Sequence, residues 1–282
     1  GRNGRYMGGR KKIRPITTYT WALLCALSIF TLPLKAEQND TCVVKKVIIH
    51  GLDDAKKWAV SPLKWNSSQW LTFGGVSAAT GALILWGDQW VYDKANTIHS
   101  PTLDKVSPGL EPIGHAYLAV SVSGFLLHGI IAKNNYSIET ALIASESILL
   151  NTILVQAVKN TLGRNRPNDS GSTNPHVWNG PFFKGNSFFS GHTSTAFSVA
   201  SVYAYRYRDT GWVPVLSYGL TTLVGLQRIY ENRHWASDVL FGAAAGTATG
   251  IFLCYQWEKQ GIRFYPSFQP QGAGLTLVIP IK

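Results

Sequence analysis

This chain lacks the spacing of a metal site. Its three cysteines, Cys25, Cys42 and Cys254, and its seven histidines form no grouping that would hold zinc, and no metal or other cofactor is expected. No Gly-rich phosphate loop follows a strand-like run, which argues against P-loop and dinucleotide-binding chemistry. The Gly-x-Ser-x-Gly turn of serine hydrolases is missing as well. Acidic residues are scarce, 15 against 26 Lys and Arg, and none lies in the first 36 positions. The net charge of +11 looks at first like a nucleic-acid or membrane-surface signal, yet seven of the basic residues sit in that leader. Beyond it, 19 basic residues face 15 acidic ones, a balance of only +4. The excess charge belongs to the leader, and no nucleic-acid partner is expected.

What is present divides into four parts. Residues 1–36 combine a basic stretch over 2–14, an apolar run over 21–34 and the sequence Leu34-Lys35-Ala36. They read as a signal peptide or, left uncleaved, as an N-terminal anchor. Either way the chain is exported: periplasmic, or membrane-associated with its site facing the periplasm. Cys25 would leave with a cleaved signal, and Cys42 and Cys254 could then pair in an oxidising compartment. Residues 37–67 are mixed and polar, a linker with a short helix. The core spans 68–257, where six apolar stretches, 68–87, 112–132, 137–158, 191–206, 211–226 and 236–257, predict an all-α six-helix bundle. Turn signals separate them at Ser107-Pro108-Gly109, Lys133-Asn134-Asn135 and Asp209-Thr210-Gly211. The tail, 258–282, has strand-like segments flanking Pro270 to Gly274 and allows a small β-hairpin.

Three clusters in the second half of the chain could reach one phosphate group: Lys159 to Arg166-Pro167, Ser190-Gly191-His192, and Arg228 to His234 to Asp238. Lys159, Arg166 and Arg228 supply positive charge, two of them as guanidinium forks matched to phosphate oxygens. Ser190 and Gly191 add a hydroxyl and unobstructed N–H groups. His234 and Asp238 stand four residues apart, so on a helix they share a face and the carboxylate can fix the imidazole tautomer. That makes His234 the candidate nucleophile and leaves His192 as general acid for the departing alkoxide. In an antiparallel bundle the end of the third helix, the start of the fourth and the loop into the sixth gather at one end. The segment 168–185, dense in Asn, Gly, Ser and Pro, reads as an active-site loop.

On these residues the chain resembles the type 2 phosphatidic acid phosphatase superfamily, which includes bacterial non-specific acid phosphatases and vanadium-dependent haloperoxidases. The first part of the signature, Lys, six residues, Arg-Pro, is met by Lys159 through Pro167. Pro-Ser-Gly-His is met by Phe189-Ser190-Gly191-His192, with Phe in place of Pro. Ser-Arg, five residues, His, three residues, Asp is met by Gln227-Arg228, His234 and Asp238, with Gln in place of Ser. The resemblance implies a six-helix core of the acid phosphatase type and a metal-independent phosphatase. In that reading Lys159, Arg166 and Arg228 hold the phosphate, His192 protonates the leaving group, and His234, supported by Asp238, is transiently phosphorylated. The substrate would be a phosphorylated lipid or a small phosphate ester. A vanadium haloperoxidase, usually a longer chain, and a non-catalytic helical membrane or scaffold protein are the alternatives.

Other charged and imidazole groups read as ordinary. Arg164 and Arg233 lie outside the signature and read as solvated or rim residues. His115 and His128, in apolar segments, read as structural, and His50, His99 and His176 as loop residues. Trp58, Trp65, Trp70, Trp86 and Trp90 suit either an interfacial belt or core packing. Several stretches are long enough to span a bilayer, but the mean hydropathy of +0.02 is low for a chain with half its length in lipid. Six full spans after a cleaved leader would also return the site to the cytoplasm. Membrane association is expected, and either the bundle is a globular exported domain, or the leader is retained, or a stretch fails to span.

Overall fold

The computed structural model describes residues 51–169, 173–181, 185–260, 263–269 and 272–278. The leader, the first part of the linker, His50, Lys184 and Cys42 with its pairing lie outside the described residues; Cys254 is buried.

A helix over 51–60 (α1) and a short 3-10 turn, Ser61–Lys64, lead to α2, Ser67–Ala82. Asn66 and Gln69 cap α2 reciprocally, each side chain accepting the other's main-chain N–H at 2.9 Å. The expected helix over 68–87 does not stop there. A π-turn, Leu83–Gly87, carries the rod into α3, Asp88–Thr97, because charge ends an apolar run without ending a helix. Pro101–Leu110 (α4) corrects the turn expected at Ser107-Pro108-Gly109. Ser100 caps this helix, Pro101 opens it, and Ser107 and Asp104 anchor it to Glu231 at 2.7 Å and to Tyr230 at 2.5 Å. A 3-10 turn, Glu111–Gly114, precedes α5, Ala116–Ile131.

The remaining core helices fall close to their expected positions: α6, Asn135–Leu162; α7, Gly191–Arg206; α8, Trp212–Tyr230; and α9, Ala236–Gln260. Helix α7 sits centrally, packed on α6, α8 and most extensively α9. Small residues make this possible. Gly242, Gly246 and Gly250, four apart on α9, lie against the carbonyl oxygens of Ser190, Ser194 and Ser198 on α7. The main apolar core, including Ile138, Val199, Val224 and Leu253, fills the space between these helices. Helix α1 docks through Trp58 and through Asp54, which accepts from Gln260 at 2.8 Å. Beyond α9, Arg263–Gln269 (β1) and Gly272–Val278 (β2) pair antiparallel, so the tail does form a hairpin.

Among the described residues, three helical stretches are long and apolar enough to cross a membrane: Ser67–Thr97, Asn135–Leu162 and Ala236–Gln260. The bent pair Pro101–Gly114 and Ala116–Ile131 would make a fourth. Only 6 % of the apolar window in the first stretch is buried, and large apolar side chains such as Ile131, Trp212, Val215 and Leu226 face outward. An apolar exterior of this extent is matched to lipid, and the protein is membrane-associated. Trp70, Trp86 and Trp90 lie on that exterior, whereas Trp58 packs on the core.

Candidate functional site

The three clusters converge through main-chain hydrogen bonds. Ser187 N–H donates to Arg164 O (2.9 Å), joining the segment before α7 to the exit of α6. Ser190 N–H donates to Asp238 O (3.0 Å), joining the start of α7 to the start of α9. His234 N–H donates to Arg228 O (3.2 Å), folding the loop after α8 back on its own last turn. Asn232 permits that reversal: its φ of 53° is left-handed, a conformation Asn tolerates, and its side chain bonds Asn96 at 2.9 Å. At the exit of α6 the turn is made by Gly163, with φ 59°. A Cβ there would lie 2.5 Å from Gly180 O, so both the conformation and the space require glycine.

Asp238 sits in the first turn of α9, where its Oδ2 accepts the Trp235 N–H at 3.0 Å, half of a capping box. The same oxygen accepts from Ser187 Oγ at 2.5 Å and stands 3.5 Å from His234 Nδ1. Ser187 Oγ is itself 3.5 Å from that nitrogen. The residues expected at the site are thus gathered: Lys159 and Arg228, each 3 % exposed, His234, also 3 % exposed, and the partly buried Arg166 and His192. His234 feels the positive charge of Lys159, Arg166 and Arg228, and His192 that of Arg228, Lys159, His115 and His234. The two imidazoles therefore share one electrostatic environment.

Three polar atoms from different elements are buried there with no hydrogen-bond partner among the described residues: Arg166 Nε, His192 Nε2 and Arg228 Nη2. Buried donors are rarely left unpaired, so this trio marks a place for an acceptor-rich ligand. Ser190 differs from the other candidates. Its buried hydroxyl caps α7, accepting from Thr193 N–H at 3.4 Å and lying 2.9 Å from Thr193 Oγ1, so a phosphate contact would compete with the cap. Gly191 opens the helix beneath it.

The two departures from the signature are accommodated. Gln227 Oε1 accepts from Arg228 Nε at 2.6 Å and so orients the guanidinium. Phe189 packs on Phe188 and Phe241, with ring centroids 6.0 and 5.3 Å away, in a small cluster with Val155. Arg228 Nη1 also reaches Glu111 Oε1, at 3.3 Å.

One reading from the sequence is corrected here. Arg164, expected at the rim, is 1 % exposed, and its guanidinium bonds Asp238 Oδ1 at 2.6 Å and Asp88 Oδ2 at 2.7 Å. Its charge is paired on both sides, which is what allows it to be buried. His115, expected to be a structural histidine, is hydrogen-bonded as such a residue would be, and its ring centroid lies 5.0 Å from that of His192. Its Nδ1 lies 3.1 Å from Glu111 O, and Gly114 lets the segment approach: a Cβ on Gly114 would lie 3.0 Å from His192 Cδ2. Arg233 is exposed, as a rim residue would be, and His128 bonds Ser137 Oγ at 3.0 Å. Ser187, Asp88 and Glu111 carried no motif that would have marked them; proximity alone reveals them.

Burial, reinforced by the surrounding cations, holds both His234 and His192 well below the ordinary imidazole value of 6.5. Both rings are therefore neutral at pH 7 in the free protein. The sign for stability follows. Below about pH 6.5 the unfolded chain takes up protons that these rings refuse, so this contribution is intact above that pH and is lost as pH falls. The melting temperature in detergent should drop between pH 7.5 and 5.5, and millimolar phosphate should restore part of it by offsetting the cations. A melting temperature indifferent to phosphate at pH 5.5 would contradict this.

Residues 140–262 match the family described as the PAP2 superfamily, a stretch that contains all three clusters. Over 98 residues the chain is 39 % identical to a protein named lipid A 1-phosphatase from Porphyromonas gingivalis; the match spans 34 % of this chain and only 19 % of that protein. Among solved structures it is similar to LpxE of Aquifex aeolicus, at 24 % identity and a TM-score of 0.46, covering 60 % of this chain and 94 % of that one. It is also similar to a transmembrane PAP2-type phosphatidylglycerolphosphate phosphatase from Bacillus subtilis, at 22 % identity and a TM-score of 0.48, covering 68 % and 95 %. The stretch that matches the PAP2 superfamily model encloses Lys159 through Asp238, and the chain spans about a fifth of the length of the lipid A 1-phosphatase it resembles.

Proposed function

We propose that this protein is a metal-independent phosphatase that hydrolyses phosphate monoesters of membrane lipids through a phosphohistidine intermediate, with its site on the exported face. The observation that carries the reading is the cradle itself: two neutral imidazoles set among Lys159, Arg166 and Arg228, with buried nitrogens on Arg166, His192 and Arg228 awaiting partners.

A phosphate dianion entering the cradle accepts from Arg166 Nε, Arg228 Nη2 and the first N–H groups of α7, beside the charge of Lys159. Its negative charge offsets the cations that depress His192, so His192 takes up a proton as the ester binds. His234 Nε2 attacks phosphorus in line, a P–N bond forms and the P–O bond to the lipid breaks. His192 gives its proton to the departing alkoxide, while Asp238 steadies the proton on His234 Nδ1. His192, now neutral, then takes a proton from water; the hydroxide attacks phosphorus, the P–N bond breaks and inorganic phosphate leaves.

The lipid preference rests on depth. Asp88, buried behind the site, accepts Ser237 N–H at 2.9 Å, and its neighbours in sequence Trp86 and Trp90 are 77 % and 63 % exposed on the apolar exterior. Indole rings favour the membrane–water boundary, which supports a site at headgroup level. The lipid A 1-phosphatase relative is named for a substrate of this class. The exported face follows from the basic leader and its apolar run. The test is a panel of lipid and water-soluble phosphate monoesters in detergent, with the soluble esters also given to intact cells. Lipid esters should be turned over at least tenfold more efficiently, in kcat/KM, than soluble ones, and intact cells should hydrolyse an impermeant ester as fast as permeabilised cells. No phosphate release from any ester would refute the reading; release only after permeabilisation would reverse the orientation.

A further inference from the structure

Behind Asp238 lies a buried charge relay that the signature does not include. Arg164 is clamped between two carboxylates, Asp238 on one side at 2.6 Å and Asp88 on the other at 2.7 Å, and all three side chains are fully buried. Ser237 bridges the group: its Oγ accepts from Arg164 Nη1 at 2.7 Å and donates to Asp88 Oδ2 at 2.5 Å, while its N–H donates to Asp88 Oδ1 at 2.9 Å. The remaining guanidinium N–H groups turn to Pro175 O, from Nε at 3.1 Å and Nη2 at 2.9 Å. Trp178 and Trp235 lie 4.9 and 5.6 Å from the guanidinium carbon. Asp88 comes from α3, outside residues 140–262.

The charge count gives this arrangement a purpose. Arg164 alone would cancel Asp238 and present His234 with a neutral pair; Asp88 restores one net negative charge to the buried triad. Resting on the phosphatase reading above, we infer that Asp88, acting through Arg164, is a positioning residue that sets how strongly Asp238 supports positive charge on His234. That support is needed most when His234 carries the phosphoryl group, because the ring is then an imidazolium with its Nδ1 proton toward Asp238 Oδ2. The groups facing His234 from the packed elements are Lys159 of α6, Arg166 and Ser187 of the segment between α6 and α7, His192 of α7, Arg228 of α8 and Asp238 of α9. Cations dominate that set, so a remote negative charge has a large relative effect.

The test is Asp88→Asn, which keeps the shape and an oxygen for Ser237 N–H but removes the charge. Its kcat should fall about 10- to 100-fold, the usual cost of losing a partner one step behind the reacting group, while KM changes less than about threefold. The acid limb of kcat/KM against pH should move down by about one unit, because a less supported His234 binds its proton more weakly. The His234 resonance in histidine-labelled protein, identified by its absence in His234→Ala, should titrate lower by the same amount without any turnover. A purely structural role would reduce folded protein and melting temperature but leave both pH midpoints in place, and that outcome overturns the inference. If Asp88→Asn does not fold, Asp88→Asn with Arg164→Gln removes both charges and again leaves Asp238 fully negative. Its acid limb should then lie at the wild-type position, and a displaced limb overturns the inference. A wild-type protein without phosphatase activity would refute the functional reading instead, and the resonance titration would still decide the relay.

Discussion

His234→Ala should lower phosphate release by about four orders of magnitude or more, because among the described residues of the cradle His234 is the imidazole set against a carboxylate, with Asp238 Oδ2 3.5 Å from its Nδ1. The expected loss is in kcat, with the protein folded and still binding phosphate through Lys159, Arg166 and Arg228. His192→Ala should behave differently, and the difference identifies the roles. On an alkyl phosphate, whose alkoxide needs a proton to leave, the loss should be about 10²- to 10⁴-fold. On p-nitrophenyl phosphate, whose leaving group needs no proton, the first step should survive. In the proposed mechanism His192 also activates the water of the second step, so an acid-labile, alkali-stable phosphoprotein should accumulate. Full turnover in His234→Ala, or equal losses in the rate of the first, phosphorylation step on the two esters in His192→Ala, would refute these roles.

Gly246→Leu should be the most destabilising of simple substitutions in the helical core. A Cβ at this position would lie 2.1 Å from Ser194 O, 2.9 Å from Ser194 C and 3.0 Å from Ser198 N. These are helical backbone atoms, which cannot swing aside as a side chain can, so α9 would have to move away from α7. Overpacking of this kind costs about 3 kcal/mol or more. The site would suffer with the fold, since Gly242, one turn earlier, meets Ser190 O at 2.9 Å and Asp238 lies one turn before that. The melting temperature in detergent should fall sharply and activity with it. Gly124→Leu on α5 is the control, because a Cβ there has nothing within 4 Å. Equal melting temperatures for the two variants would show that close approach of α7 and α9 does not hold the bundle together.

Much of the helical core could be read directly from apolar periodicity. The stretch 191–206 coincides with α7, and 137–158 and 236–257 fall within α6 and α9. The misses have local causes. Pro108 and Gly109 signal a turn in isolation, but contacts from Asp104 and Ser107 to the end of α8 hold that segment helical. Arg164 reads as a rim charge because a sequence shows the cation and not the two carboxylates, from positions 88 and 238, that make its burial affordable.

Sequence alone determined which groups are candidates for the chemistry: fixed spacing within each cluster is local, and the four-residue step from His234 to Asp238 follows from one turn of chain. What only the tertiary structure decided is how the clusters are wired. Ser187 reaches Asp238, Glu111 reaches Arg228, His115 lies against His192 and Asp88 stands behind Arg164. Those contacts join segments far apart along the chain, and no periodicity encodes them. They arise when close-packed helices bring distant backbone ends to one side of the bundle, where the Arg164 charge is buried between Asp88 and Asp238.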